Sequence, residues 1–262
     1  MAGPERVSHF DAVADRYDAA RPGYPPMLFD ALAGYAGLGP GSRVLEIAPG
    51  TGQATVPMAG RGWTVTAVEL GPRLAAAARR RLAAFPSARV EVAAFEDWEL
   101  PAEPFDAVVC ATAFHWLDPA ERLAKPLRAL RPGGTLAVVV THHVAGGTDA
   151  FFPTAQRCYE AWDPSTPPDL RLPAEDAVGP SFPELDTDRG YGDVQRLRFA
   201  DENTWSTAGY LDLIGTFTPT LALSPDQRDG LLRCLGDLID TRFGGQVTKR
   251  TLVELVLARR VC

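Results

Sequence analysis

The sequence predicts an α/β fold in which βαβ units build a largely parallel sheet. Apolar segments of strand length alternate with alanine-rich and leucine-rich helical patterns from Arg43 to His143, an order that puts helices on a parallel sheet through right-handed crossovers. Within that stretch, Arg43-Val44-Leu45-Glu46-Ile47-Ala48-Pro49-Gly50-Thr51-Gly52-Gln53 is an apolar strand closed by a carboxylate, then a glycine turn, then a helix start. A second short strand, Thr64-Val65-Thr66-Ala67-Val68-Glu69-Leu70, also ends in an acid.

Five strands are expected in this core, near 44–48, 65–70, 90–94, 107–111 and 136–141, with helices near 54–60, 73–85 and 119–130. Pro72 suits the first turn of its helix, whereas Pro57 and Pro126 do not suit helix interiors. Arg131-Pro132-Gly133-Gly134 reads as the turn that ends the third of these helices and feeds the fifth strand. Six prolines between 163 and 183 (Pro164, Pro167, Pro168, Pro173, Pro180, Pro183) argue against regular structure there and for a lid or linker. Order returns with a strand at 194–199, helices near 207–216 and 225–242, and a last strand at 251–258. One domain is expected, in four parts: 1–36, a core over 37–145, a cap or lid over 146–192, and 193–262.

A chain of 262 residues with 46% hydrophobic composition buries a full core. The net charge of −7, with no basic tract beyond Arg79-Arg80-Arg81 on an expected solvated helix face, argues against nucleic acid as a partner. Cys110, Cys158, Cys234 and Cys262 have no spacing that suits zinc or a redox dithiol and are expected as buried thiols. No Asp, Glu or His cluster has metal-ligand spacing, so no metal is expected. Residues 1–10 lack the apolar core of a signal peptide, and the strongest apolar run, 136–140, is too short to span a bilayer. A soluble cytoplasmic protein, with no membrane partner, is the expectation.

A dinucleotide fingerprint requires Gly-x-Gly-x-x-Gly, and those places hold Ala48, Gly50 and Gln53. No lysine follows the turn, which excludes a Walker-type phosphate loop. A nucleoside cofactor without phosphate remains, with Glu69 placed where a doubly wound sheet hydrogen-bonds a ribose.

At Glu46, Gly50 and Gly52 the chain resembles the class I S-adenosylmethionine-dependent methyltransferases, with Ala48 where that family usually has its first glycine. Ala113-Phe114-His115-Trp116 followed by Asp118-Pro119 resembles the trans-aconitate methyltransferase-like branch. Residues 10–25, the Leu-Arg-Pro-Gly-Gly run, 210–216 and Gly244-Gly245 extend that resemblance over nearly the whole chain. It implies a Rossmann-like, doubly wound, seven-stranded, mostly parallel sheet with helices on both faces, a final antiparallel hairpin and a small cap. It also implies S-adenosylmethionine as cofactor, S-adenosylhomocysteine as product, and N-terminal helices over the cofactor.

The resemblance assigns the cradle to Glu46, Ala48, Gly50, Gly52 and Gln53, the ribose to Glu69 and the adenine face to Leu70. Phe95 and Glu96 follow the third strand beside the adenine, with Asp97 as the alternative acid and a helix N-cap as an alternative role for either. Ala111 ends the fourth strand, and Tyr17 and Arg21, one turn apart, suit the cofactor's methionine carboxylate. Three of the four histidines, His115, His142 and His143, follow the carboxyl ends of the fourth and fifth strands, where ligands of open sheets lie. His115 is the first candidate for a catalytic base, then His142 or His143, which point to opposite faces if extended. Phe151, Phe152, Tyr159 and Trp162 read chiefly as core packing, with a pocket wall as the alternative.

Methyl transfer to a small molecule follows, by in-line displacement onto a carboxylate, hydroxyl or amine, in a setting such as natural-product metabolism, by a monomer or homodimer. Two alternatives keep the same cradle: a non-methylating enzyme that uses the cofactor's charge in cyclisation or rearrangement, and a ligand-binding protein.

Overall fold

The computed structural model describes residues 10–261. The reading of residues 1–9 and the expectation for Cys262 lie outside the described residues. In chain order the elements are α1 (Ala14–Ala20), α2 (Pro26–Ala36), β1 (Arg43–Ile47), α3 (Thr55–Gly60), β2 (Thr64–Glu69), α4 (Pro72–Arg81), β3 (Ala88–Val92) and β4 (Phe105–Ala111). There follow α5 (Ala124–Ala129), β5 (Leu130–Gly147), α6 (Phe151–Trp162), β6 (Tyr191–Ser206), α7 (Thr207–Ile214), α8 (Thr218–Ala222), α9 (Pro225–Arg242) and β7 (Gln246–Arg260).

The strands form one seven-stranded sheet in the order β3-β2-β1-β4-β5-β7-β6. β7 runs antiparallel between β5 and β6, and the other pairings are parallel. The strand order reverses between β1 and β4, which opens a crevice at their carboxyl ends. Val44, Val65, Val109 and Leu255 pack with Phe29 and Trp63 on one face of the sheet, and Leu45, Val108, Val138 and Val256 pack with Phe105 and Leu130 on the other. Strands buried on both faces read as near-continuous apolar runs, which is why β1, β4 and β5 are conspicuous in the sequence.

Several boundaries differ from expectation for identifiable reasons. Pro57 and Pro126 are each the third residue of a short helix, inside the first turn, where a missing N–H costs nothing. The helix before β5 therefore spans only Ala124–Ala129. The glycine turn is a bulge within β5: Leu130 pairs with Phe105 and Thr135 with Ala107, while the intervening residues loop out around Gly133 at φ 73°. β6 and β7 are much longer than expected, paired from Tyr191 with Arg260 to Ser206 with Gln246. Polar residues alternate outward along β6, so its apolar signal covers only part of its length.

The N-terminal helix is tied to two other helices. Asp15 and Asp18 of α1 pair with Arg80 and Arg81 of α4, and Arg16 lies 3.6 Å from Asp212 of α7. The Arg79-Arg80-Arg81 run is thus a docking face, with Arg79 donating to the Val90 carbonyl. The cysteine expectation also needs correction: Cys158 of α6 and Cys234 of α9 form a disulfide across 76 residues, and Cys110 is a buried thiol. Their helix faces meet only in three dimensions, so no local spacing announces the pair.

The proline-rich stretch is irregular but held. Its Pro173 carbonyl accepts the Ala145 N–H, its Pro167 carbonyl accepts Gln156 Nε2, and Arg198 donates to the Val178 and Gly179 carbonyls. Among the described residues no helix is long and apolar enough to cross a membrane, and no group of His, Cys, Asp or Glu is arranged to hold a metal ion.

Candidate active site

A cavity of about 230 Å³ occupies the crevice between β1 and β4, walled by Tyr17, Arg21, Glu46, Gly50, Phe114 and His115 among others. The backbone is left-handed on both sides of it, at Ala48 (φ 54°) and Gly50 (φ 60°) after β1 and at Thr112 (φ 56°) after β4. A β-branched residue at positive φ is rare and is sustained only where its surroundings over-determine it. Thr112 is held by its N–H to the Val139 carbonyl and by its hydroxyl to the Tyr24 phenol, 3.2 Å away. Ala48 carries its own N–H to the Val68 carbonyl at 2.9 Å.

Glu46 is the least satisfied group in the wall. It is 1% exposed and its Oε2 has no hydrogen-bond partner among the described residues. Burial, with the nearby Glu69 charge adding to it, raises its pKa to about 8. Arg21 enters from the segment after α1. Its Nε donates to the Thr216 hydroxyl at 2.9 Å and its Nη2 to the Thr216 carbonyl at 3.0 Å. The guanidinium lies 4.5 Å from the Phe217 ring centre and 4.9 Å from that of Tyr17. A buried carboxylate oxygen lacking a donor and a half-buried cation lacking a carboxylate therefore line one cavity. A ligand end carrying both an ammonium and a carboxylate fits that pair.

Glu69 stands just behind the wall. Its Oε2 accepts the Gly50 N–H at 2.9 Å and its Oε1 accepts the Gly71 N–H at 2.8 Å. Burial raises its pKa to about 7 against those two donors. Asp11 covers this corner, accepting from Arg73 N–H and Leu74 N–H at the start of α4, where Gly71 offers no capping side chain.

Of the residues singled out in the sequence, Tyr17, Arg21, Glu46, Ala48, Gly50, Gln53, Ala111, His115 and His143 reach the cavity. Several do not. Gly52, at φ 92°, faces Ala78 of α4 and serves the packing of that helix. Leu70 is 42% exposed, because it follows the last buried residue of β2. Phe95 is buried in the core under the Lys125 ammonium, and Glu96 accepts the Asp118 N–H outside the cavity. His142 points to the other face of β5, where its Nε2 lies 3.1 Å from the Ser181 hydroxyl and 3.5 Å from Glu254. Strand alternation separates it from His143.

His143 stacks on Phe217 with ring centres 5.6 Å apart. Burial, reinforced by the Lys249 and Arg21 charges, lowers its pKa to about 3, so it is neutral and a weak base. Burial also lowers the His115 pKa. That imidazole packs beside Trp116, with ring centres 4.5 Å apart.

Sequence reading missed a second cavity and two of the three residues, Phe217 and Lys249, that it shares with the first. A chamber of about 610 Å³ lies under α6 and the proline-rich segment, walled by Phe152, Tyr159, Leu170, Tyr210 and Pro219. Phe152 and Tyr159 thus belong to a pocket wall, whereas Phe151 is core and Trp162 packs across Gly230. His143, Phe217 and Lys249 line both cavities. Lys249 lies in a polar stretch of β7 that carries no apolar strand signal, and only the pairing of β7 with β5 and β6 brings it inward.

Residues 44–134 match the Methyltransferase domain family. An uncharacterized methyltransferase of Mycobacterium bovis is 36% identical over 130 residues, 50% of this chain and 51% of that protein. The chain thus spans about half the length of the curated relatives it matches first. Among solved structures, a putative type II methyltransferase from Anaeromyxobacter dehalogenans superposes with a TM-score of 0.64 at 23% identity, covering 92% of this chain and 98% of that one. Phosphoethanolamine N-methyltransferase 2 of Haemonchus contortus, solved with S-adenosyl-L-methionine, gives a TM-score of 0.52 at 17% identity over 96% of this chain and 57% of that one. With the strand order, the glycine turn and the acid closing β2 already in place, residues 44–134 carry a methyltransferase domain on a Rossmann-like fold.

Proposed function

We propose that the protein transfers the methyl group of S-adenosylmethionine to a small-molecule acceptor. The observation that carries this reading is the pairing, in one buried cavity at the strand-order reversal, of the unpartnered Glu46 Oε2 with the Arg21 guanidinium. That pair complements the ammonium and carboxylate of the cofactor's methionine end. The left-handed Gly50 brings the backbone against this space. Tyr17 closes it: its ring carbon lies 3.6 Å from where a Gly50 Cβ would stand.

When bound, the cofactor supplies a methyl group already made electrophilic by its sulfonium. The protein's work is then to position the acceptor and exclude water. A chamber of about 610 Å³ that shares His143, Phe217 and Lys249 with the cofactor cavity suits a small molecule. For a hydroxyl or amine acceptor, His115 is the base: its pKa is held below the ordinary value, so the imidazole is neutral at pH 7.

The test is incubation with methyl-labelled S-adenosylmethionine and a panel of small carboxylates, phenols and amines, reading labelled product and S-adenosylhomocysteine together. Both are expected. A transformed product without S-adenosylhomocysteine would replace methyl transfer by cyclisation or rearrangement, and failure to bind the cofactor would end the reading.

A further inference from the structure

Arg21 has a long, flexible side chain, yet its guanidinium has one defined place. The ion pairs that dock α1 beside it, Asp15 with Arg80, Asp18 with Arg81 and Arg16 with Asp212, are solvent-accessible and individually weak. The guanidinium itself is held by Thr216, 195 residues along the chain: Nε donates to its hydroxyl at 2.9 Å and Nη2 to its carbonyl at 3.0 Å. Thr216 is fully buried and spends its own hydroxyl proton on the Leu213 carbonyl, 2.6 Å away, which leaves the oxygen as an acceptor for Arg21. A closing turn after α7 fixes its backbone, with Thr216 N–H donating to the Leu213 carbonyl and Phe217 N–H to the Ile214 carbonyl, both at 3.0 Å. Ile214 anchors that turn in the core with Phe151 and Leu231.

The clamp is neutral. A carboxylate at that place would orient the guanidinium and cancel its charge, whereas Thr216 orients it and leaves the charge for a ligand. The Phe217 and Tyr17 rings lie 4.5 Å and 4.9 Å from it, and Nη1 makes no hydrogen bond among the described residues. The Nη1 edge is therefore the part left to meet a carboxylate, in the two-pronged geometry those groups share. Neither member of the pair belongs to the matched domain, since Arg21 precedes residues 44–134 and Thr216 follows them.

We propose that Thr216 is a positioning residue for cofactor recognition. It aims Arg21 at the carboxylate of the cofactor's methionine end, and so sets a preference for nucleosides whose amino-acid tail is complete over those that lack its carboxylate. This rests on the methyltransferase reading above, in which Arg21 meets that carboxylate. A two-pronged contact depends on angle as well as distance, so the residue that orients the guanidinium governs its strength. The tail is bonded through a short carbon chain to the sulfonium, and a misaimed tail also moves the methyl group off the line of attack.

The experiment is equilibrium binding at pH 7 of S-adenosylhomocysteine and of its decarboxylated analogue, which keeps the adenosine and the ammonium. The unaltered protein is expected to prefer S-adenosylhomocysteine tenfold or more. Thr216→Val, nearly the same shape without the acceptor oxygen, should lower S-adenosylhomocysteine affinity roughly tenfold and change that of the analogue less than twofold. Thr216→Ser should restore the preference. Arg21→Met should abolish it, and adding Thr216→Val to Arg21→Met should cost nothing further, because a residue that acts through Arg21 then has nothing to aim. Circular dichroism checks folding, and Thr216→Ala carries the same expectation if Thr216→Val does not fold. A preference that survives the loss of the Thr216 hydroxyl, an equal loss for both ligands, no rescue by Thr216→Ser, or a further loss in the double variant would each overturn the proposal. An unaltered protein that does not bind S-adenosylhomocysteine, or a preference that survives in Arg21→Met, would instead strike the underlying reading and the proposal with it.

Discussion

The Glu69 carboxylate accepts the Gly50 N–H at 2.9 Å, tying the acid that closes β2 to the glycine turn that follows β1. Its other oxygen accepts the Gly71 N–H at 2.8 Å, so one side chain fixes the turns at both carboxyl ends.

Glu69→Ala should leave two N–H groups without acceptors, at a cost of about 2 kcal/mol in stability. S-adenosylhomocysteine affinity should fall at least tenfold, because the turn that lines the cavity loses its anchor. Glu69→Gln, which keeps one acceptor oxygen, should recover part of both. Thermal melts and calorimetric titration check this, and unchanged affinity in Glu69→Ala would remove the residue from the site.

Ala48 at φ 54° is a strained alanine. Replacing it with glycine removes a left-handed penalty of roughly 1 kcal/mol, offset in part by greater freedom of the unfolded chain. Ala48→Gly should therefore be neutral to stabilising in urea denaturation, and Ala48→Val destabilising by more than 1 kcal/mol, since a β-branched residue fits that conformation worst.

The raised pKa of Glu46, about 8, makes the ligand-free protein sensitive to pH. Between the ordinary carboxylate value and about 8 the folded state binds more protons than the unfolded state, so stability falls as pH rises through that window. Glu69, raised to about 7, acts in the same direction. The melting temperature should fall from pH 5 to pH 8, and Glu46→Gln should flatten much of that slope, a contribution on the order of 3 kcal/mol. A ligand ammonium seated on Glu46 should favour ionisation, so binding near pH 7 should release protons, measurable by titration in buffers of different ionisation enthalpy.

The Cys158–Cys234 bond joins α6 to α9 over a separation of 76 residues. Replacing both by alanine should cost about 2–4 kcal/mol, most of it through the unfolded chain. Because α6 walls the chamber, the loss should also weaken acceptor binding more than S-adenosylhomocysteine binding. Denaturation midpoints with and without reductant, alongside the two titrations, check both parts.

The parallel core was legible in the sequence because β1, β2, β4 and β5 are buried on both faces and read as continuous apolar runs. The glycine turn, the closing acids and α9, expected at 225–242 and found at Pro225–Arg242, were equally plain, the helix being marked by its Ser224 and Gln227 capping box. Tyr17, Arg21, Glu46 and His115, which line the cleft, were reached by joining the family resemblance to their position after strands and helix turns.

What only the tertiary structure decided arises between segments distant in sequence. Cys158 meets Cys234 because two helices pack side by side. His143 and not His142 enters the site, because the pleat of β5 assigns their faces. Lys249 turns inward because β7 is clamped between β5 and β6. Local pattern reports a residue's own strand or helix, and it encodes the turn and the fold. The partners of a buried charge and the shape of a chamber depend on register and packing across the sheet, which no short stretch of the chain contains.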